Sequence, residues 1–412
     1  MPIKHCTLVL GSYLNAYSII QELTEKGVLD IFIIDFIKMG AAYSNKIKKF
    51  QLIKQNPEDL LEKINRLHEL YDYLIIYPTE DIHIEYLYTI YSYIHKFSFI
   101  PFNTDNILLT LNKYYQYAQC EKLGVPYPKT INISNENDLD ALDALSFPIL
   151  IKPVKREDIH GQVFRNLQIH SKTHLEEIRT DILKHMSENL SFIASEIIPG
   201  DGSQIYSYVG YRSFQGDILN EWIGKKLSQY PNDFGIFASA SNNAPSEVLE
   251  QGRKLLHGMN LMGIAQPEFK YDCRDGYYKL MEINLRSMMW NRVGNISGIN
   301  VQYTQYLDAL NLPVPKQEQN HNQKIHYIYL KHELLNIISR HGYYKTFLSI
   351  IKSADKISLA FFDLSDIKPC IIDTLDLCCT AGIACLKKFT IFEIIIKTKL
   401  FRKIPLFSKI KL

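Results

Sequence analysis

The sequence predicts an α/β protein whose central part is α+β, and three observations carry that reading. The chain opens on an apolar strand, a turn, a helix-period segment and a second apolar strand. Strand and helix patterns go on alternating to about residue 100, and two strand-rich stretches, one of them a hairpin, occupy the middle. With 412 residues there is chain enough for two or three packed units. Lys and Arg number 46 against 44 Asp and Glu, a formal charge of +2, and 22 % charged with 46 % hydrophobic residues is an ordinary soluble composition. Bulk nucleic-acid binding and disorder are therefore poor readings. No uncharged apolar run reaches the length of a membrane span, and the start MPIKHCTLVLGSYLNAYS lacks a signal-peptide pattern. The seven cysteines are scattered with no CxxC pair. The expectation is an unexported protein of a reducing cytoplasm.

Taken in order, KHCTLVLGSYLNAYSIIQELTEKGVLDIFIIDF is a βαβ unit with Gly11 in its first turn and Asp35 closing its second strand. Only Gly11 of a dinucleotide fingerprint is present, so a structural α/β unit is the better reading. A helix from Pro57 to Tyr71, the strand YDYLIIYPT and a helix from Ile82 to Tyr93 continue the parallel-sheet alternation. A new unit begins near Pro101, where a helix follows an Asn/Thr/Asp cluster and ends at Gly124. The strand FPILIKPV, a charged loop, the strand VFRNLQIH and a capped helix over Ser171 to Met186 follow. Strands run from FIASEIIPG through EWIGKKL, and PEFKYDCRDGYYKLMEINLR is a hairpin turning at Arg274-Asp275-Gly276. The last hundred residues read as mostly helical. They end in a basic apolar tail, 387–412, with eight Lys/Arg against one Glu, a net +7.

The hairpin carries the most chemistry. Strand side chains alternate faces with period two, so Glu282, Asn284 and Arg286 share one face of the second strand, and Glu268 on the first can join them. Two carboxylates and an amide oxygen are hard donors suited to Mg²⁺ between protein and nucleotide phosphates, and a neighbouring arginine suits a transferring phosphoryl group. On spacing alone, a solvated polar face fits equally well. Lys152 ends an apolar strand, where an unpaired ammonium is costly, and Glu196 sits between FIAS and IIPG, where a buried carboxylate calls for a hydrogen-bonding ligand. Thr79-Glu80-Asp81 lies at a strand's C-terminal edge, a place where open α/β sheets bind ligands.

The segments LNKYYQYAQCEKLGVPYPKT, FPILIKP, FIASEIIPGDGSQIYSY, GKKLSQYP and PEFKYDCRDGYYKLMEINLR occur in the order that resembles the ATP-grasp superfamily of carboxylate–amine ligases. The likeness covers about residues 100 to 310 and is greatest to the branch of D-aspartate ligase and cell-surface polysaccharide ligases. It implies a Rossmann-like pre-ATP-grasp domain at 1–100, a small lobe at 101–195, a large lobe with the Mg-ATP site at 196–312, and a helical extension at 313–412. By the same resemblance Lys113, Lys152 and Lys226 reach the phosphates. Glu196, Ile197 and Ile198 receive the adenine, and Gln204 lies on the ribose side. Glu268, Glu282 and Asn284 hold Mg²⁺, with Mn²⁺ as the alternative ion, and Arg286 neutralises an acyl phosphate.

Two departures stand out. The loop VKREDIHGQVF has one glycine where the family's flap is glycine-rich, leaving Lys155, Arg156 and His160 as substitutes, and Ser228 stands where a second cation is expected. Asn291, Arg292 and Asn295 either line an acceptor pocket or cap the next helix. The implied activity is ATP-dependent amide formation through an acyl phosphate, releasing ADP and phosphate. Its partners are ATP, an amino acid or amine, and a carboxylate such as a uronic-acid sugar or a peptidoglycan precursor of the cell envelope. A free dipeptide ligase and a non-catalytic nucleotide-binding module are the alternatives. No nucleic-acid partner is expected, a homodimer is compatible with the sequence, and the basic tail is open to two readings, contact with the inner face of an anionic membrane or docking on its own domain.

Overall fold

The computed structural model describes residues 3–154, 164, 166–186 and 190–388, with side chains through 378. Three sheets organise it. The first is parallel, β3-β2-β1-β4-β5, made of β1 (His5–Leu10), β2 (Ile31–Asp35), β3 (Lys49–Leu52), β4 (Tyr73–Pro78) and β5 (Ser98–Phe99). The second is antiparallel, β6-β9-β7-β8, from β6 (Thr130–Ile133), β7 (Ile149–Pro153), β8 (Leu167–Ile169) and β9 (Phe192–Glu196). The third contains β10 (Ile205–Arg212), β11 (Ile218–Tyr230), β12 (Ile236–Ser241), β13 (Gly263–Asp272), β14 (Tyr277–Asn284), β15 (Ile325–Ile328) and β16 (Lys356–Leu359), in the order β14-β13-β10-β11-β12-β15-β16.

Period-two alternation explains why the first sheet is buried on both faces. Leu8, Leu10, Ile34 and Ile76 enter one apolar cluster with Leu60, Ile64, Ile84 and Leu87 of the flanking helices, while Val9, Ile33, Ile75 and Tyr77 enter another with Leu14, Ile19 and Leu23. Both clusters run on into the third sheet. The first takes in Tyr208, Phe269 and Leu280; the second takes in Val209, Tyr211 and the edge-on indole pair Trp222 and Trp290. The second sheet has a separate core, in which Ile133, Ile149, Ile151, Ile169, Phe192 and Ala194 meet Leu175 and Ile182. One body thus holds the first and third sheets, and a smaller body with its own core holds the second.

Local chemistry moves some boundaries. The helix expected between Pro101 and Gly124 is two pieces, Ile107–Thr110 and Lys113–Leu123, because the Asn112 side chain accepts from the N–H groups of Tyr114 and Tyr115 and starts a new helix there. Gly124 closes it in the left-handed region at φ +60. The helix begun at Pro57 ends at His68, and the one after β4 spans Asp81–Ile94. The extension is not helical throughout. Besides the helices Leu330–Ser339, Tyr344–Lys352 and Lys368–Lys388 it contributes β15 and β16, since the alternating segment IHYI is buried at every position and pairs with β12 through Ser239 and Ile328. Lys155, Arg156, His160 and the tail after 388 lie outside the described residues. Among the described residues, no helix is long and apolar enough to cross a membrane.

The extension also returns to the first unit. The Asp366 carboxylate accepts from the Asn45 N–H at 2.9 Å, and Asp363 pairs with Lys46. Burial works to raise the Asp363 carboxyl, but Lys46 and the Ser365 hydroxyl and N–H outweigh it and lower it from 3.8 to about 2. A carboxyl lowered by folding adds stability above its unfolded value, and that stability is lost as pH falls through the folded one. Asp363→Asn should therefore cost up to about 2 kcal/mol at pH 7, and the difference from wild type should close between pH 4 and pH 2 in denaturant titrations. A difference that ignores pH would remove the ion pair from the account.

Candidate active site

The β13–β14 hairpin builds the site. Its register sets Glu268 opposite Glu282 and Gln266 opposite Asn284, with a bulge after Glu268. Residues directly opposite share a face, so the two carboxylates stand side by side. Each carries a lysine from a different element. Lys226 of β11 reaches across β10 and lies 3.1 Å from both oxygens of Glu268, both residues being buried. Lys113, the first residue of its helix, donates to Glu282 at 2.7 Å, and these two side chains are about one-third exposed, at 30 % and 33 %. Asn112 is what places Lys113 there, because its cap fixes where the helix begins.

The electrostatics follow from this geometry. The Lys113 ammonium beside Glu282 holds its carboxyl well below the usual carboxylate range against the effect of burial, and the fields of Lys152 and Lys226 add to that. Lys152 lies on β7 of the smaller body, so both bodies act on one carboxylate. The buried Nδ2 of Asn284 and Oε1 of Gln266 make no hydrogen bond. An unsatisfied amide beside two carboxylates fits a bound polar group better than a finished core. Among the described residues no three His, Cys, Asp or Glu side chains converge. A divalent ion at the hairpin would take the two carboxylates of Glu268 and Glu282 with the Asn284 amide, a hard-donor set that suits Mg²⁺.

Arg286 continues past the hairpin and is buried, with Nε donating to Asp81 Oδ1 at 2.6 Å. The strand-end segment of the first unit thereby reaches the site. Its neighbour Thr79 has a different task, donating to the Leu10 carbonyl at 2.6 Å beneath Gly11. Gly11 has φ +107, and a Cβ there would fall 2.0 Å from the Thr79 hydroxyl, so only glycine fits the turn. Two residues beyond Asp81, His83 is buried with an unpartnered Nδ1; burial, and then Arg286, push its pKa down to about 3, so it stays neutral.

The segment after β9 is tied to β13 and its turn. Glu196 accepts from the Ser146 N–H at 2.9 Å and lies 4.0 Å from Arg274, and the Ile197 N–H donates to the Pro148 carbonyl. Lys270, two residues along β13 from Glu268, donates to the carbonyls of Ile198 and Gly200 at 2.8 and 2.6 Å. Gln204 ends the turn Gly202–Gln204 and packs under Gly200. The structure thus gathers Lys113, Lys226, Glu268 and Glu282 at the centre, with Asn284 and Arg286 following on the same chain segment and 196–204 tied to β13 by Lys270.

Other expected positions do different work. Arg292 pairs with Glu25 of the first unit's helix and donates to Asn295. Ser228, which stands where the resemblance places a second cation, donates to the buried carboxylate of Glu333. The Asp81–Arg286 and Ser228–Glu333 pairs join residues 205 and 105 positions apart, and no periodicity in the sequence points to either.

No protein-family model matches the chain. It is similar to the D-aspartate ligase of Enterococcus faecium strain Aus0004, 26 % identical over 203 residues, which are 46 % of this chain and 48 % of that protein. The match thus spans about half the length of that curated relative. Among solved structures, the ADP complex of N5-carboxyaminoimidazole ribonucleotide synthetase matches with a TM-score of 0.61 at 16 % identity, over 82 % of this chain and 85 % of that one. L-amino acid ligase from Bacillus licheniformis matches with a TM-score of 0.55 at 14 % identity, over 77 % and 76 %.

Proposed function

From the ATP-grasp fold that the chain shares with these proteins, we propose that it is an ATP-dependent ligase joining a carboxylate to an amine. Lys113, Lys152 and Lys226 hold the phosphates as point charges, and Glu196, Ile197, Ile198 and Gln204 receive the nucleoside. Glu268, Glu282 and Asn284 hold Mg²⁺, which supplies charge neutralisation at the phosphates. The substrate carboxylate attacks the γ-phosphorus, ADP leaves, and an acyl phosphate forms. Arg286, oriented by Asp81, stabilises its charge; the amine then attacks the carbonyl and phosphate departs. No protein nucleophile takes part, so positioning and charge supply the catalysis.

The observation that supports this most is the pairing of Lys113 with Glu282 and Lys226 with Glu268. Each lysine can exchange a carboxylate for a phosphate oxygen, and each carboxylate so released can take a cation. A metal–nucleotide complex therefore supplies both new partners together, phosphate oxygens for the lysines and a cation for the carboxylates, whereas either component alone leaves one set uncompensated. D-aspartate ligase, the curated relative, suggests an amino acid as one substrate, with an envelope precursor as the other: a peptidoglycan stem amine or a uronic acid of a capsule or lipopolysaccharide unit. The basic tail would bring the enzyme to lipid-linked precursors at the membrane's inner face.

The test is ADP release from Mg-ATP with each amino acid of both hands, with and without uronic-acid sugars or peptidoglycan precursors, and again with anionic vesicles. ADP that appears only with one amino acid and one acceptor is the expected result, and stimulation by vesicles is expected if the acceptor is lipid-linked. Production of AMP and pyrophosphate would sink the acyl-phosphate route.

A further inference from the structure

Resting on that reading of the nucleotide site, we infer that Glu333, seconded by Asn336, is a positioning residue for ATP. Through these two residues the C-terminal extension sets the stretch of β11 that presents Lys226 and supports the 202–204 turn. The helix Leu330–Ser339 lies on β11 and β12, and three of its buried side chains grip their backbone or hydroxyl groups. His332 Nδ1 meets the Phe237 carbonyl at 2.6 Å, and Asn336 Nδ2 donates to the Gln229 carbonyl at 3.0 Å. Glu333 accepts from the hydroxyls of Ser228, Ser239 and Tyr343, the last two at 2.6 and 2.9 Å.

The grip falls where the ladder is weakest. Lys226 faces Ala240, Ser228 faces Ser239 and Gln229 faces Phe237, so β11 carries one extra residue at Leu227 and β12 one at Ala238. Two slips of opposite sense leave Ser228 and Ser239 as the single matched pair between them, and Glu333 Oε1 bonds both hydroxyls. On one side of this staple, two residues away, is Lys226 with its buried partner Glu268. On the other is Gln229, whose side chain packs against Gly202 so closely that a Cβ there would lie 2.7 Å from it. Slippage of the bulge would move the phosphate lysine and the nucleoside turn together. An apolar residue would fill the same space with less desolvation, but only an acceptor with two lone-pair directions holds both serines.

The experiment uses the full chain and measures the Kd for Mg-ATP by calorimetry, the KM of each substrate, and Tm. Glu333→Ala should weaken ATP binding about tenfold and raise the KM for ATP alike, leaving the KM for acid and amine within about twofold; Glu333→Gln should recover most of the loss. Should Glu333→Ala fail to fold, Ser228→Ala and Tyr343→Phe decide the matter. Each removes one donor to the same carboxylate, but Ser228 is on β11 and Tyr343 is not. Ser228→Ala should weaken ATP binding about threefold and Tyr343→Phe should not. Equal effects of the two, or a folded Glu333→Ala protein with wild-type ATP affinity, would overturn the inference. A wild-type chain that does not bind Mg-ATP would overturn it together with the nucleotide reading.

Discussion

Glu282→Gln should give a folded protein whose ADP release falls at least about a thousandfold. The structural loss is small. The Lys113–Glu282 pair is about one-third exposed, so removing its Coulomb attraction costs about 1 kcal/mol or less, and glutamine still offers an oxygen to the Lys113 ammonium. The chemical loss is large because Glu282 is the carboxylate on which three lysines from two bodies act. Its amide would neither balance that cationic charge nor compete as a ligand for a divalent ion beside Glu268. The direction of its shift adds a second outcome. A carboxyl held well below the usual range stays ionised across the neutral region, so no fall in wild-type turnover between pH 8 and pH 5 should come from Glu282. Matched Tm values with lost turnover are expected from parallel melting curves and ADP assays; a Glu282→Gln enzyme that turns over normally would take Glu282 out of the mechanism.

The site was legible in the sequence as far as local periodicity reaches. Period two along a strand aligns Glu282, Asn284 and Arg286, and the short turn at 274–276 brings Glu268 opposite. The first sheet is legible for the same reason, since apolar strands alternate with helices over short connections. What periodicity cannot supply is the partner of a side chain across a tertiary contact. Arg286 is satisfied by Asp81 because the first and third sheets share two apolar clusters, and nothing within either segment encodes their juxtaposition. Ser228 is a polar residue in an apolar strand, and only the fold shows that a helix a hundred residues later delivers the acceptor for it. A single helix from the Asn/Thr/Asp cluster to Gly124 satisfies the apolar pattern, and only the pair of N–H bonds that Asn112 accepts divides it in two.

Lys226→Met should be both inactive and destabilised, and a second substitution should separate the two defects. Lys226 and Glu268 are about 8 % and 5 % exposed at the side chain, so deleting the ammonium strands a carboxylate in a medium that solvates it poorly. Breaking a buried pair from one side costs about 3–5 kcal/mol, much of it the penalty on the orphaned charge rather than the worth of the pair. Gln266 Nε2, 3.4 Å from Glu268, is too distant to compensate. Adding Glu268→Gln to Lys226→Met removes that orphan. The double variant should recover most of the lost stability, because replacing both partners by neutral groups of similar size is close to neutral. On the proposed function it should recover no turnover, since a lysine assigned to the phosphates and a carboxylate assigned to the metal are both gone. A purely structural pair predicts the opposite coupling, with activity returning alongside stability. Denaturant titrations of wild type, both single variants and the double variant, each assayed for ADP release, distinguish the two; turnover restored in the double variant would assign the pair to the core and not to the chemistry.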